Sequence, residues 1–243
     1  MKQVRMKQQN GMHTGMWVLG LAMVVLSGCG RYSQLVPTTA NLYVGDSIQV
    51  SVKGGTDTPM QSKNPFVASV NTATGWVRAE HVGITTIECT TTGTGNTATV
   101  SAYCTINVLP RYTYFAEPLL EWGISRSELI AQLGEPTRVE ELTTERCRCW
   151  YGDTLRDNTV TVYFLSFDQL ETATILSQAF TEEQAHLYIR ERYYRDAQWE
   201  AGYYISVYDP EALDASDVEV YVGQENERTV VEYSTPFQLV GCE

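Results

Sequence analysis

Apolar and polar residues alternate in the first half of the chain, as they do in β-strands. Ile48, Val50 and Val52 are separated by single polar residues, and a second alternating stretch runs from Val100 to Val108. Side chains at every second position share one face of a strand, so each stretch has one apolar face. Short strands joined by turns rich in glycine and threonine predict an all-β sandwich, which we place at 37–109.

The rest of the chain mixes helical and strand patterns. Ser125 lies three residues before Glu128, and Thr181 lies three residues before Gln184, so each pair has the capping-box signature of a helix start. Apolar residues at helical spacing follow, at Leu129, Ile130 and Leu133 and at Ala185, Ile189 and Tyr193. Strands are predicted at 146–151, 160–167, 170–176, 203–208, 218–222 and 230–233. Residues 111–243 are therefore predicted to be an α+β domain of helices and antiparallel strands.

The order of helix and three strands occurs twice, which suggests an internal duplication. The two cap residues, Ser125 and Thr181, are 56 residues apart, and the segment VTVY at Val160 has a counterpart, VEVY, 58 residues later at Val218. One half alone would be too small to bury its apolar face, so the sheets of the two halves are expected to pack or join. The alternative is one α+β domain with similar strands.

The N-terminal segment predicts export and attachment to a membrane. An uncharged apolar run from Met16 to Leu26 follows three basic residues. A helix of this length covers roughly 16 Å, about half of a bilayer core, so the run is a signal peptide and not a membrane span. Its end, Leu26-Ser27-Gly28-Cys29, resembles the lipobox of bacterial lipoproteins. The resemblance implies cleavage after residue 28, a lipid on Cys29, a linker at 29–36, and a place in the cell envelope, with the outer membrane favoured and the face left open.

Charge divides the mature chain at Pro110. Residues 30–110 carry four basic and four acidic side chains, whereas residues 111–243 carry 10 basic and 25 acidic ones, a net of −15. This change in character predicts a domain boundary at 110–111. A strongly acidic domain excludes nucleic acid as a partner and favours a basic protein, although the charge is also explained by solubility alone.

The first domain resembles the bacterial immunoglobulin-like domains of group 2. The residues that carry the likeness are Val44-Gly45-Asp46, Asn64-Pro65, Val67-Ala68, Val70, Gly75, Val77, Ala79, Gly83, Thr85, Ile87, Ile106 and Val108. Met60 stands where the family often has tryptophan and is expected in the core. The resemblance implies a spacer, adhesive or display module of a bacterial surface protein and names no ligand.

Part of the second domain resembles the small lipoprotein of the outer-membrane β-barrel assembly machinery and β-lactamase inhibitor protein. The likeness lies in Gly123, Ser125, Glu128, Leu133-Gly134, Pro136 and Trp150-Tyr151. Those proteins bind other proteins, and the inhibitor is a tandem repeat. The resemblance implies a fold of helices against antiparallel strands and a role in protein binding.

Five cysteines remain when Cys29 carries lipid. Cys89 and Cys104 are both predicted to face the sandwich interior from consecutive strands, where they form either a disulfide or two reduced core thiols. Cys147 and Cys149 share one face of a strand, so a bond between them would strain it. One of these two is expected to pair with Cys242, and the other to remain free. Zinc is a poor fit, because no histidine lies nearby.

No catalytic motif is present in the sequence, and we expect neither an enzyme nor a cofactor. The acidic segment with Asp209, Asp214 and Asp217 is a weak candidate for calcium, since its spacing differs from that of an EF-hand, and a solvated loop is the simpler interpretation.

Aromatic residues are concentrated after residue 110, where Trp150, Trp199, Tyr203 and Tyr204 are candidate binding residues. Neighbours on a strand face opposite ways, so not all of these rings are expected in the core. Exposed tyrosine and tryptophan offer a large contact area with a polar end. Two functions follow: an envelope lipoprotein that binds a protein or plays a structural role, or a surface protein that binds or processes glycans.

Overall fold

Strands provide most of the regular structure in the computed structural model, and its helices are short. The structure describes residues 34–53, 59–92, 99–194, 203–205 and 218–235, with side chains left out at 91–92, 99–100 and 203–205. Within these ranges there are 16 strands and two helices. No helix in the described ranges is long and apolar enough to cross a membrane.

The first part of the chain forms three small sheets. The strands are β1 (Gln34–Val36), β2 (Thr39–Tyr43), β3 (Ser47–Gln49), β4 (Ser51–Lys53), β5 (Met60–Ser62), β6 (Ala68–Val70), β7 (Trp76–Ala79), β8 (Gly83–Thr92) and β9 (Thr99–Leu109). One sheet has the order β2-β9-β8-β5, a second has β3-β7-β6, and β1 pairs with β4. All pairs are antiparallel except β2 with β9.

The core of this sandwich follows the alternation in the sequence. Val50, Ile106 and Val108 are buried together, and Met60 is buried with them as expected. Gly75 makes a close approach of two segments possible. It has φ +68°, and a Cβ there would lie 2.1 Å from the Val50 carbonyl oxygen, so a larger residue would displace the strand.

The second part forms one seven-stranded antiparallel sheet and two helices. Its elements are α1 (Arg126–Leu133), β10 (Arg138–Glu141), β11 (Arg146–Tyr151), β12 (Thr159–Ser166), β13 (Gln169–Ser177), α2 (Glu182–Arg190), β14 (Tyr203–Ile205), β15 (Glu219–Glu225) and β16 (Arg228–Ser234). The strand order is β10-β11-β12-β13-β16-β15-β14. Both helices pack on the face of the sheet that we call the inner face, and the opposite face is the outer face.

Both predicted capping boxes are present. The side chain of Ser125 accepts a hydrogen bond from the Glu128 backbone, Thr181 does the same for Gln184, and the reciprocal bonds are also made. The apolar stripe of α1 is narrower than predicted, because Leu129 is buried while Leu133 is 40% exposed. The helices are short, so the second part is richer in strand than the predicted α+β mixture.

Most strand predictions after residue 111 agree with the structure to within a few residues. The strand predicted at 146–151 is β11 with the same bounds, and β12, β13, β15 and β16 overlap the predicted ranges. Of the strand predicted at 203–208, only residues 203–205 lie in the described part, as β14. The sequence analysis missed β10, whose residues Arg-Val-Glu-Glu lack the alternation of a half-buried strand.

In the described residues the sheet consists of two runs of consecutive strands, β10 to β13 on one side and β14 to β16 on the other, so its order is approximately symmetric. On each side, a helix precedes an antiparallel run of strands, and the last strands of the two runs, β13 and β16, pair with each other. The similar segments VTVY at Val160 and VEVY at Val218, which suggested a duplication, do not occupy equivalent positions in the two runs. Tyr163 is buried on the inner face, whereas Tyr221 lies on the outer face and is 38% exposed. Duplication therefore stays a prediction.

Hydrogen bonds join the sandwich to the sheet near the predicted boundary. The backbone N–H of Val82 donates to the Glu191 carbonyl at 2.6 Å. The guanidinium of Arg111 donates to the Val44 carbonyl at 3.0 Å and to Asp46 at 2.5 Å. The sandwich and the sheet belong to one compact unit. The domain boundary at 110–111 therefore stays a prediction from the sequence.

Candidate binding groove

The register of the outer face places four side chains in one row across the sheet. Trp150 on β11 is opposite Val162 on β12, which is opposite Thr174 on β13, which is opposite Glu232 on β16. Adjacent strands lie about 4.8 Å apart, so this row spans roughly 14 Å. The row forms the middle of the outer face.

A groove of about 410 Å³ lies over this row. Its floor includes Val162, which is buried, and Leu176, which is partly exposed. Polar and charged side chains frame the floor: Arg148, Thr154, Thr174, Glu225, Asn226, Arg228 and Glu232. An apolar floor inside a polar rim is the usual composition of a protein interaction site.

Trp150 forms one wall of the groove and is fixed in place. Its indole N–H donates to the Glu140 carboxylate at 3.2 Å, and the Arg138 guanidinium lies 4.3 Å from the ring centroid. A neighbouring cavity of about 350 Å³ shares Trp150 and includes Arg138, whereas the groove does not. Arg138 therefore covers Trp150 on the side of the second cavity, and the groove contacts the remaining part of the ring.

The two ends of the groove carry opposite charge. At the β10–β11 end, Arg138 and Arg148 both lie 4.0 Å from one oxygen of Glu140, so two cations share one carboxylate. At the β15–β16 end, the rim contains Glu225 and Glu232 with one cation, Arg228. The net charge is thus +1 at the first end and −1 at the second.

A hydrogen-bonded loop borders the groove. Asp153 organises it, because its side chain accepts from the Leu155 N–H at 2.9 Å and its N–H donates to Asp157 at 2.7 Å. The Arg228 guanidinium donates to the Thr154 carbonyl at 2.6 Å, which ties the loop to the β15–β16 hairpin. At the tip, Leu155 is 93% exposed. An apolar side chain held outward by a fixed backbone is suited to insertion into a partner.

Of the binding residues proposed from sequence, the structure places Trp150 in the groove. Tyr203 and Tyr204 lie in β14, of which only the backbone is described. Trp199 and the calcium candidates Asp209, Asp214 and Asp217 lie outside the described residues, as do Cys29 and Cys242. No group of three or more acidic, cysteine or histidine residues in the described ranges is arranged to hold a metal.

Cys89 and Cys104 are not directly opposite each other in the sandwich. Cys104 is opposite Ile87, and Cys89 is opposite Ala102, so the two cysteines are diagonal neighbours. Diagonal Cα atoms in a sheet are about 7–8 Å apart, beyond the usual range for a disulfide. Both are buried free thiols in the structure.

Cys147 and Cys149 share the inner face of β11, as predicted from their spacing, and both are buried free thiols. Burial raises the pKa of the Cys149 thiol to about 11, and the neighbouring Cys147 adds to the shift. A raised pKa keeps a thiol protonated and unreactive at neutral pH. The pairing of Cys147 or Cys149 with Cys242 stays a prediction.

The sequence analysis missed most of the groove. Arg148 belongs to the same alternating strand as Trp150, so its position on the outer face could have been predicted from parity alone. Arg228 and Glu232 carry no such signal, because a hairpin and a distant strand bring them to the groove. Leu155 carries none either, because a loop places it at the neighbouring cavity. Sequence spacing does not contain that information.

Two solved structures are similar to parts of this chain. The first is a C-terminal 282-residue fragment of intimin in complex with the intimin-binding domain of the translocated intimin receptor. It is 21% identical, covers 57% of this chain and 58% of its own, and has a TM-score of 0.24. The second, domains 1–6 of the surface layer protein SbsC, is 11% identical, covers 84% of this chain and 21% of its own, and has a TM-score of 0.23.

At TM-scores this low, neither likeness decides the fold or the function of the chain, which spans less than two thirds of either structure. No protein-family model matches the chain, and no curated protein matches it in sequence.

Proposed function

We propose that this protein is an envelope-anchored lipoprotein that binds a protein partner without catalysing a reaction. The observation that carries the proposal is the outer-face groove, in which an apolar floor is framed by charged side chains and bordered by the Leu155 loop. Fixed aromatic and apolar anchors beside a polar rim are typical of protein interfaces. The acidic charge of residues 111–243 favours a basic partner.

The remaining parts of the chain have supporting roles in this proposal. Residues 1–28 act as the signal peptide, the lipid on Cys29 attaches the mature protein to a membrane, and 29–36 is a linker. A group 2 immunoglobulin-like domain at 37–109 serves as a spacer. The Leu-Ser-Gly-Cys end of the apolar run supports the anchor. Substitution Cys29→Ser should move the protein from the detergent-soluble membrane fraction to the aqueous phase of the envelope and abolish labelling with a palmitate analogue.

Photo-crosslinking in intact cells tests the binding function. A photoreactive amino acid replaces Leu155 in the full-length protein, and the matched control carries it at Ile84, which is 69% exposed on the sandwich. We expect position 155 to yield a crosslinked protein that position 84 does not. Trp150→Ala combined with Arg148→Glu should abolish the adduct without loss of the folded protein, as judged by circular dichroism. Identical adducts at both positions would contradict the proposal.

Glycan binding is the second candidate, because Trp150 lines two adjoining cavities whose size suits a small saccharide. Arg138 already stacks on the ring, which leaves less aromatic surface for a sugar and favours the protein partner. A glycan array with wild type and the Trp150→Ala variant separates the candidates. Binding of a sugar that is lost in the variant would support this second function, and the absence of any sugar-dependent signal would remove it.

A further inference from the structure

We propose that the groove binds an extended segment of the partner with an acidic residue, an apolar residue and a basic residue at alternate positions. This inference rests on the proposed function and names the chemistry of the partner at the same site. It follows from three properties of the groove: the charge at each end, the distance between the ends, and the floor between them.

The charge at each end of the groove determines which charged residue of the partner binds there. Arg148, near the β11 end, has nearly half of its side-chain surface exposed and lies 4.0 Å from Glu140, a carboxylate that Arg138 and Trp150 also contact. This end has an excess cation and would pair with a carboxylate of the partner. Arginine and carboxylate groups form paired hydrogen bonds of defined geometry, which favours an acidic side chain here.

The opposite end would take a cation. Glu232 accepts a long hydrogen bond of 3.4 Å from Thr174, and Glu225 lies at the end of β15 on the same rim. The nearby guanidinium of Arg228 donates to the carbonyls of Thr154 and Asp157. Because Arg228 is directed at the loop, the two carboxylates would be available to a lysine or arginine of the partner.

The distance between the ends determines the spacing of the partner's residues. Three strand separations give about 14 Å between β11 and β16, and Arg148 lies two residues along β11 from the row of Glu232, so the two charges are roughly 16 Å apart. An extended chain rises about 3.4 Å per residue, which corresponds to roughly four to five positions. Of these spacings, four places the acidic and basic residues on the same side of the segment. Residues i, i+2 and i+4 of an extended segment face the same side, so the residue midway between the charges faces the floor at Val162 and Leu176. An apolar side chain is required there.

Fluorescence anisotropy with synthetic peptides and the purified full-length protein tests this inference. The labelled probe contains Glu-Ser-Leu-Ser-Lys within a serine heptapeptide. The control peptide has the same composition with Glu and Lys adjacent. We expect the probe to bind at least about fivefold more tightly than the control, the effect of a small number of rim charge pairs.

Charge reversal in the protein adds a sharper test. Glu232→Lys should weaken binding of the probe and should favour a peptide with Glu-Ser-Leu-Ser-Glu instead. Glu183→Lys changes the net charge equally at an exposed position on α2. It should neither weaken binding of the probe nor create a preference for the doubly acidic peptide. Preference of the Glu232→Lys protein for the doubly acidic peptide supports the inference.

Equal affinity for the probe and its isomer, absence of peptide binding, or no switch in preference would overturn it. The crosslink from position 155 distinguishes this failure from failure of the proposed function. If that adduct forms and is unchanged in the Glu232→Lys protein, the protein binds a partner, and the inferred segment is wrong.

Discussion

The carboxylate of Glu191 accepts hydrogen bonds from the backbone N–H of Arg111 at 3.0 and 3.1 Å. It also accepts one from the Tyr112 N–H at 3.0 Å. The carbonyl of the same residue accepts the Val82 N–H of the sandwich. Glu191 is 4% exposed, so its carboxylate has little access to water. Glu191, just after α2, therefore holds residues 111–112 through its side chain and the sandwich through its backbone carbonyl.

Substitution Glu191→Ala should destabilise the protein, because it leaves two partly buried backbone N–H groups without an acceptor. We expect a loss of about 1–3 kcal/mol in the free energy of unfolding, measured by urea denaturation. The control is Asp46→Ala, which removes an exposed ion pair with Arg111 and an exposed hydrogen bond from the Tyr43 N–H, and should cost about 0–1 kcal/mol. Equal effects of the two substitutions would mean that the Glu191 contacts do not hold the junction together.

The Arg228 guanidinium should keep the Leu155 loop in one conformation. In Arg228→Met the hydrogen bonds to the Thr154 and Asp157 carbonyls are lost, while much of the aliphatic packing remains. We expect faster amide hydrogen exchange at 153–157 and a weaker crosslink from position 155, with little change elsewhere. Arg78→Met, at a sandwich side chain that is 66% exposed, is the matched control. Unchanged exchange at 153–157 in Arg228→Met would contradict the prediction.

Local features of this fold could be predicted from the sequence. Both helix starts were predicted because each capping box involves residues only three positions apart. The bounds of the strand Arg146–Tyr151 were predicted, and so was the face of the strand on which each side chain lies. Alternation places Cys147 and Cys149 on one face and Trp150 on the other. These features depend on neighbours in the chain and not on the rest of the molecule.

Features that depend on register could not be predicted. Val160 and Val218 begin similar segments, yet the registers of β12 with β13 and of β15 with β16 place Tyr163 and Tyr221 on opposite faces of the sheet. The same limit applies to the groove, where Trp150 and Glu232 are 82 residues apart in sequence and share one row across the sheet. A shift of one residue in any of these pairings would move one of the two side chains to the inner face.

Acid should destabilise the sandwich through His81. Its ring stacks on Phe66 with centroids 3.9 Å apart, and Nδ1 lies 2.7 Å from the Phe66 carbonyl oxygen. Burial lowers the pKa of His81 from 6.5 in spite of that hydrogen bond and the nearby Glu80. The unfolded chain therefore takes up a proton more readily, and stability falls as pH decreases below about 6.5.

Urea denaturation at pH 7.5 and 5.5 measures this effect, and the pH range avoids titration of ordinary carboxyl groups. Between pH 7.5 and 5.5, the free energy of unfolding of His81→Gln should decrease less than that of wild type. If the decrease is the same in both proteins, His81 is not its source.

Alkali should destabilise the sheet through Cys149. Burial raises the pKa of this thiol from 9.0 to about 11 in the folded protein. Between pH 9 and 11 the unfolded chain loses the thiol proton while the folded protein keeps it. The unfolded state then binds fewer protons, so the free energy of unfolding falls as pH rises through this range. Tyr151, whose pKa is raised to about 12, acts in the same direction above pH 10.

Urea denaturation at pH 8, 9 and 10 of wild type and Cys149→Ala checks this prediction. The variant should be less stable at every pH because it loses buried contacts, but its stability should fall less steeply between pH 9 and 10. Thiol alkylation gives an independent measurement, since buried Cys149 should react with iodoacetamide far more slowly in native buffer than in urea. The prediction is contradicted if the free energies of unfolding of wild type and variant fall equally with pH and the native protein is alkylated rapidly. Cys149 would then be neither buried nor raised in pKa.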